Sequence, residues 1–401
     1  MKALRKYLDK IKPNFEPGGR LQAFRAVIDG FETFLFTPRD TSTSGVHIHD
    51  SIDSKRTMII VVLALLPCFI FGMYNTGYQH WLAAGETSFP FWNLLAYGFF
   101  AILPSVVVSY GVGLGIEFVV AQWRKEEIQE GFLVSGLLIP MICPVETPVW
   151  MIAVATAFSV IFAKEVFGGT GYNIFNPALV TRAFLFFAYP AQMSGDKVFV
   201  ATDPVLGIGH DVADGFTGAT PLAQVATNVG DQLHLTGIDG NAIGMWDMFL
   251  GLIPGSFGET STLCILVGAI ILLFTGIANW RVMLSVFAGG AVMAWIANIF
   301  QTPDYAASLL SPLEQLLLGG FAFAAVFMAT DPVTGARTNT GKYIYGFLVG
   351  VMAILIRTYN TGYPEGAMLA VLLMNAFAPF IDYCVVQANI RRRQRRVKLK
   401  A

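Results

Sequence analysis

Gly131-Phe132-Leu133-Val134-Ser135-Gly136-Leu137-Leu138-Ile139-Pro140-Met141-Ile142-Cys143-Pro144 is the stretch whose reading decides the fold. It carries no charge, so it belongs in a core or in lipid. It is too short to cross a bilayer, which takes about 20 apolar residues as a helix. Prolines interrupt and close it, and proline removes a backbone donor and stops a helix. An apolar helix that stops inside a membrane survives only where its free backbone groups are buried in protein or line a cavity. A second segment has the same character, starting at Pro177 and ending at Pro190.

Longer apolar runs surround these two. With them, the spans read at 57–74, 93–121, 131–144, 148–164, 177–190, 259–278, 282–299, 315–330, 343–357 and 366–388. Charged residues make up 13% of the 401-residue chain and apolar ones 55%, against about 25% charged in soluble domains. The expected fold is an all-α polytopic membrane protein of about ten transmembrane helices, some broken or half-length. A duplication is also legible. Gly169-Thr170-Gly171-Tyr172-Asn173 precedes Asn176-Pro177, and Asn360-Thr361-Gly362-Tyr363-Pro364 precedes Asn375 and Pro379. Cys143-Pro144-Val145-Glu146-Thr147 is echoed by Asp331-Pro332-Val333-Thr334-Gly335. Five spans per half make the two repeats inverted, with a site at their interface.

Lys and Arg set the orientation. Ten lie in the first 56 residues and seven in the tail from Arg391 to Lys400. The connections expected on the same side carry Arg124, Lys125, Lys164, Arg281, Arg337 and Lys342, whereas 75–92 and 300–312 carry none. The chain therefore divides into a basic cytoplasmic region 1–56, a first membrane repeat 57–190, an outer loop 191–245, a second repeat 246–390 and a basic cytoplasmic tail 391–401. Both termini are expected on the cytoplasmic side of the membrane, and the loop at 191–245 on its outer face. The basic tail faces anionic lipid rather than nucleic acid. Met1–Lys12 is basic and amphipathic, as expected of a helix lying on the membrane surface or a partner. The early region lacks the apolar core of a cleavable signal peptide.

The four cysteines stand alone and no C-x-x-C occurs, which argues against a disulfide framework or a cysteine-ligated cluster. His47 and His49 make only a weak metal signal. No G-x-G-x-x-G loop provides a nicotinamide site.

Within the outer loop stands Asp214-Gly215-Phe216-Thr217-Gly218-Ala219-Thr220, a D-x-x-T-G-A-T pattern. Thr220 offers a hydroxyl, Gly215 and Gly218 relax the backbone, and Ala219 leaves the site unshielded. The same composition also suits a plain surface turn. Gly251-Leu252-Ile253-Pro254-Gly255-Ser256-Phe257-Gly258-Glu259-Thr260 follows before a span. There Ser256 and Glu259 read as a helix start or as support for a bound phosphate. With Gly168–Gly171, Asn176-Pro177-Ala178, Ala329–Thr334 and Asn375–Asp382, these motifs resemble the B-subunit family of the sodium-translocating NADH:quinone oxidoreductases over essentially the whole chain. The D-subunit family of the ferredoxin-linked relatives is similar but generally lacks so long an N-terminal region.

The resemblance implies FMN esterified to Thr220 by a flavin transferase, with Asp214, Thr217, Gly218 and Ala219 forming the recognised pattern. It implies a non-covalent riboflavin and a quinone site in the membrane. Five further subunits, A, C, D, E and F, are the implied partners, and Na+ is the translocated ion. Asp382 matches an aspartate implicated in sodium handling in that family, and Glu130 a similar glutamate. Asn173, Asn176 and Arg182 are the candidate pocket for a flavin or quinone. The alternative for Arg182 is a side chain reaching to the inner interface. A flavin-free inverted-repeat channel or transporter explains the spans but not the outer motif.

Overall fold

The computed structural model describes residues 2–15, 54–86, 88–125, 131–193, 198–213, 216–228, 233–301, 305–360 and 365–398, with the single positions 28, 32, 36, 44, 45 and 362. In chain order its helices are α1 Lys2–Ile11, α2 Ser54–Ala83, α3 Phe91–Arg124, α4 Phe132–Ile142, α5 Val149–Ser159, α6 Pro177–Ala188 and α7 Pro221–Thr227. There follow α8 Met245–Leu250, α9 Thr262–Phe274, α10 Trp280–Ile299, α11 Pro312–Leu317, α12 Phe321–Phe323, α13 Asn339–Tyr359 and α14 Ala367–Lys398. Wider π turns extend α5 over Val160–Lys164 and α12 over Ala324–Met328. The described residues form no strand, only two isolated bridges, Val205 with Ile208 and Thr236 with Ala242. The chain is an all-α, multi-pass membrane protein.

Six helices among the described residues are long and apolar enough to cross a membrane. Four of the expected spans are not continuous membrane-length helices. Two are the proline-bounded α4 and α6. The third, read at 259–278, is helical only over Thr262–Phe274, about 20 Å at 1.5 Å per residue. Glu259 therefore lies in the loop before it. The fourth, read at 315–330, breaks between α11 and α12, where Gly319 and Gly320 take φ of 61° and 67°. That left-handed backbone suits only glycine well, and nothing in an apolar run marks where it will occur. In both halves the third element is the interrupted one, α4 and α12.

Local chemistry explains where the short helices begin. Asn176 caps α6 by accepting from the Ala178 amide (3.0 Å), with Pro177 in the first turn. Ser311 and Glu314 form a reciprocal capping box on α11. Small residues let the long helices approach: Gly289 of α10 lies against Phe347 of α13, and Gly346 of α13 against Val282 of α10. A separate small core of Leu222, Val225, Leu235, Met248, Ile253, Leu310 and Leu318 holds α7, α8 and the loops around them together at one end of the bundle.

The start of the 191–245 segment is pinned to α2, α3 and the loop after α4 by polar groups. His80 Nδ1 lies 2.7 Å from the Ala201 carbonyl, and Nε2 accepts from the His210 amide at 3.0 Å. That pair of partners selects the neutral tautomer with its proton on Nδ1. Tyr97 stacks on the imidazole, centroids 4.1 Å apart, and donates to the Asp203 carbonyl. Glu146 accepts from the amide and hydroxyl of Thr202. His80→Leu leaves the Ala201 carbonyl and His210 amide unpaired, about 1–3 kcal/mol each where they stay buried. Limited proteolysis in detergent is expected to cut within 201–210 several-fold faster than in the parent protein; an unchanged rate would contradict this anchoring.

Candidate functional site

Thr220 takes an extended conformation, φ −64° and ψ 154°, and caps α7 by accepting from the Ala223 amide at 3.2 Å. The residues before it are held in place. Gly218 is buried against Val200, and a Cβ there would meet the valine side chain at 2.5 Å. Gln224 donates to the carbonyls of Ala219 (3.2 Å) and Thr236 (2.8 Å) and accepts from the Thr236 amide. Thr217 is exposed. Thr220 thus sits half-buried on a fixed rim, with one side of the motif open at Thr217. Asp214 and Gly215 lie outside the described residues.

Thr220 lines a cavity of about 290 Å³, together with Ser256, Glu259, Thr260, Phe186, Phe199 and Glu365. The loop carrying Ser256 and Glu259 is tied to its surroundings. The Gly258 amide donates to the Met141 carbonyl at the end of α4 (2.8 Å), and Asn75 donates to the Ile253 carbonyl (3.0 Å). Ser256 and Glu259 are both buried, and Glu259 Oε1 has no hydrogen-bond donor. Gly320, at the α11–α12 break, presses its backbone against the Glu259 carboxylate. The cavity is therefore built from both halves of the chain and from two helix interruptions.

Arg182 and Arg357 lie behind its walls, each bonded to residues that line it. Arg182 is 1% exposed and donates to both oxygens of Glu365, at 2.6 and 2.7 Å. Its guanidinium lies over Phe199, 5.9 Å from the ring centroid. Its counter-charge comes from the opposite half of the chain. Arg357 donates to the carbonyls of Gln315 (2.5 Å), Leu318 (3.0 Å), Gly319 (3.1 Å) and Glu365 (3.3 Å). The first three are the acceptors exposed where α11 stops, and a membrane offers no water to satisfy them.

Asn173 and Asn176 lie elsewhere. With Lys164, Thr330, Asp331 and Phe327 they line a second cavity of about 110 Å³. Asn176 donates to Asp331 Oδ2 at 3.4 Å, joining the N-terminus of α6 to the end of the second interrupted helix. Thr57 of α2 also lines this cavity, whereas Asn75 of α2 contacts the loop of the first, so the two are about 27 Å apart along α2. Half-helix α6 touches both, through Pro177 and Phe186, about 14 Å apart. The sequence grouping of Asn173, Asn176 and Arg182 into one pocket is thus divided by the length of α6. Beside the second cavity, Lys164 and Glu117 form a buried ion pair. A buried charge is costly unless it is paired, so each side chain needs the other.

Asp382 stands apart from both cavities. Its Oδ2 accepts from the Arg337 amide (2.7 Å), and Oδ1 accepts from the amide (3.0 Å) and hydroxyl (2.5 Å) of Thr338. It anchors the chain as it enters α13. Glu130, His47 and His49 fall outside the described residues. Among the described residues no cluster of three or more His, Cys, Asp or Glu side chains forms a metal site. The sequence reading missed Glu365 and Arg357. Glu365 follows a Gly- and Pro-containing loop and looks like a solvated turn residue, while Arg357 looks like the end of a span. The signal available was an arginine at the edge of an apolar helix with no acidic residue at helical spacing.

Residues 41–391 match the model of the NQR2, RnfD, RnfE family. The chain is 43% identical to the B-subunit of the Na(+)-translocating NADH-quinone reductase of Chromohalobacter salexigens, over 98% of this chain and 96% of that protein. It is 42% identical to the protein of that name from Ectopseudomonas mendocina, over 97% of this chain and 98% of that one. The Klebsiella pneumoniae protein of that name is 41% identical, with 98% and 99% covered.

Proposed function

We propose, because this chain belongs to the NQR2, RnfD, RnfE family, that it is a membrane subunit of a sodium-translocating NADH:quinone oxidoreductase, with FMN joined to Thr220. Full-length relatives named as the B-subunit of that enzyme support the complex. The observation that carries the cofactor reading is the place of Thr220, on the rim of a cavity walled by buried Ser256 and Glu259 and two aromatic rings.

The residues fit the group. The Thr220 oxygen already accepts one amide hydrogen and is free to exchange its proton for a phosphoryl group. Phe186 and Phe199 supply apolar walls, Ser256 and Thr260 supply hydroxyls, and Glu259 supplies a carboxylate oxygen with no other partner. When bound, a flavin takes up and passes on electrons; the protein contributes position and electrostatics. Arg182 and Glu365 hold the two halves together at its floor. Non-covalent riboflavin belongs to the same reading, but the second cavity, about 110 Å³, is smaller than the roughly 300 Å³ of a usual ligand pocket and does not fit it. Quinone is the acceptor in this reading, and the remaining subunits and a flavin transferase are the partners. The orientation proposed is the one the Lys and Arg pattern gives, with both termini at the cytoplasmic face of the inner membrane. Asp382 enters the sodium path as an anchor of α13, since its two oxygens already accept three hydrogen bonds.

The test is direct. The protein is made together with the flavin transferase, denatured and run on a gel. A fluorescent flavin band is expected, and Thr220→Val is expected to remove essentially all of it. A dark parent band would sink the cofactor reading, and fluorescence surviving Thr220→Val would move the attachment to another residue.

A further inference from the structure

Glu259 is the side chain that the fold explains least. It is 7% exposed, lies in the loop before α9 rather than in a helix, and leaves Oε1 with no donor. A buried carboxylate with an unpaired oxygen is costly when ionised. The charged groups facing it are Glu365 from the loop before α14, Arg182 from α6 and Arg357 from α13. Both arginines are already committed. Arg182 serves both oxygens of Glu365, and Arg357 serves the carbonyls at the α11–α12 break. Ser256 is the one neighbouring hydroxyl that supports the ionised form. Burial, and then the neighbouring Glu365, raise the Glu259 carboxyl well above its ordinary range. Glu365, 19% exposed and lining the same cavity, gives the group a connection to solvent.

We propose that Glu259 is a charge-compensating group, which takes up one proton from solvent when an electron is placed on the flavin held at Thr220. The proposal rests on the reading of Thr220 as the attachment site. The electron comes from NADH, oxidised elsewhere in the complex. An O–H bond forms at the Glu259 carboxylate as one O–H bond of a solvent hydronium ion breaks. The charge inside the cavity is unchanged, and the proton returns to solvent when the electron leaves. In a low-dielectric cavity such compensation matters, because an uncompensated charge is far more costly there than in water.

The assembled complex is titrated with redox mediators at several pH values from about 8 upward, where Glu259 is ionised before reduction, and the signal of the Thr220-bound flavin is isolated by difference from Thr220→Val. The midpoint of the Glu259→Gln complex is expected to lose one proton per electron of pH dependence, a tenfold change per pH unit or about 59 mV for one electron. Equal slopes in the two complexes would overturn the proposal. Redox-difference infrared spectra of the parent complex give a second reading that needs no variant to assemble. A protonated-carboxyl stretch is expected to rise on reduction, to shift in D2O and to move in Glu259→Asp. A flavin-loaded parent complex without that band overturns the role of Glu259 alone, whereas covalent fluorescence surviving Thr220→Val overturns the attachment reading beneath it.

Discussion

Arg357→Leu is expected to yield little or no folded protein. The guanidinium is 2% exposed and donates to four carbonyls around the break between α11 and α12. The side chain that replaces it donates nothing. Each buried acceptor left unpaired costs about 1–3 kcal/mol. The Glu365 carbonyl keeps the Ala367 amide (2.6 Å), and the three left unpaired approach the whole stability of a typical protein, roughly 5–15 kcal/mol. Arg357→Lys keeps the charge on a compact ammonium that cannot present the same planar fork, so partial recovery is expected. The measurement is the yield of monodisperse protein after extraction in detergent, followed by its thermal midpoint. A leucine variant that extracts and melts like the parent would show that the broken helix does not depend on this arginine.

Glu365→Leu is expected to be the next most damaging change. It leaves Arg182 charged and 1% exposed with its counter-ion gone. Removing one partner of a buried pair costs about 3–5 kcal/mol, whereas replacing both with apolar groups is often neutral. The double variant Arg182→Met with Glu365→Leu is therefore expected to recover most of the loss in thermal unfolding. A double variant less stable than Glu365→Leu alone would mean that packing, not charge, holds this point. Because the pair joins α6 of the first half to the loop before α14 of the second, its loss is also expected to loosen the cavity at Thr220.

The two cases show where sequence reading stopped. The prolines of α4 and α6 announce short helices, because a missing amide acts locally. The break at Gly319-Gly320 is silent, since two glycines in an apolar run are equally common in straight membrane helices. Arg357 has meaning only once that break exists. Glu365 looked like a turn residue because its partner is distant in sequence and lies in the other half of the chain. Asp382 was legible as an unusual carboxylate near the basic end of the last helix. Its partners, Arg337 and Thr338, come from the approach to α13 and turn it into an anchor. The D-x-x-T-G-A-T motif was legible in full, and so was its neighbour at 251–260. That they face one cavity was not, because Ser256 and Glu259 are carried there by the loop that Met141 and Asn75 hold in place.

By itself the sequence determined the membrane class, the helical architecture, the half-length character of α4 and α6, and the threonine on which the proposed function rests. All of these depend on hydrophobic run length, charge bias and local backbone chemistry, which act over a few residues. Only the tertiary structure decided which polar groups meet. It divided Arg182 from Asn173 and Asn176, joined Arg182 to Glu365 and gave Arg357 its four carbonyls. It also left Glu259 with an unpaired oxygen beside Thr220. In lipid every buried polar group must find its partner within the protein. Helix interruptions bring together residues far apart in the chain, so those partners are fixed by packing and not by spacing.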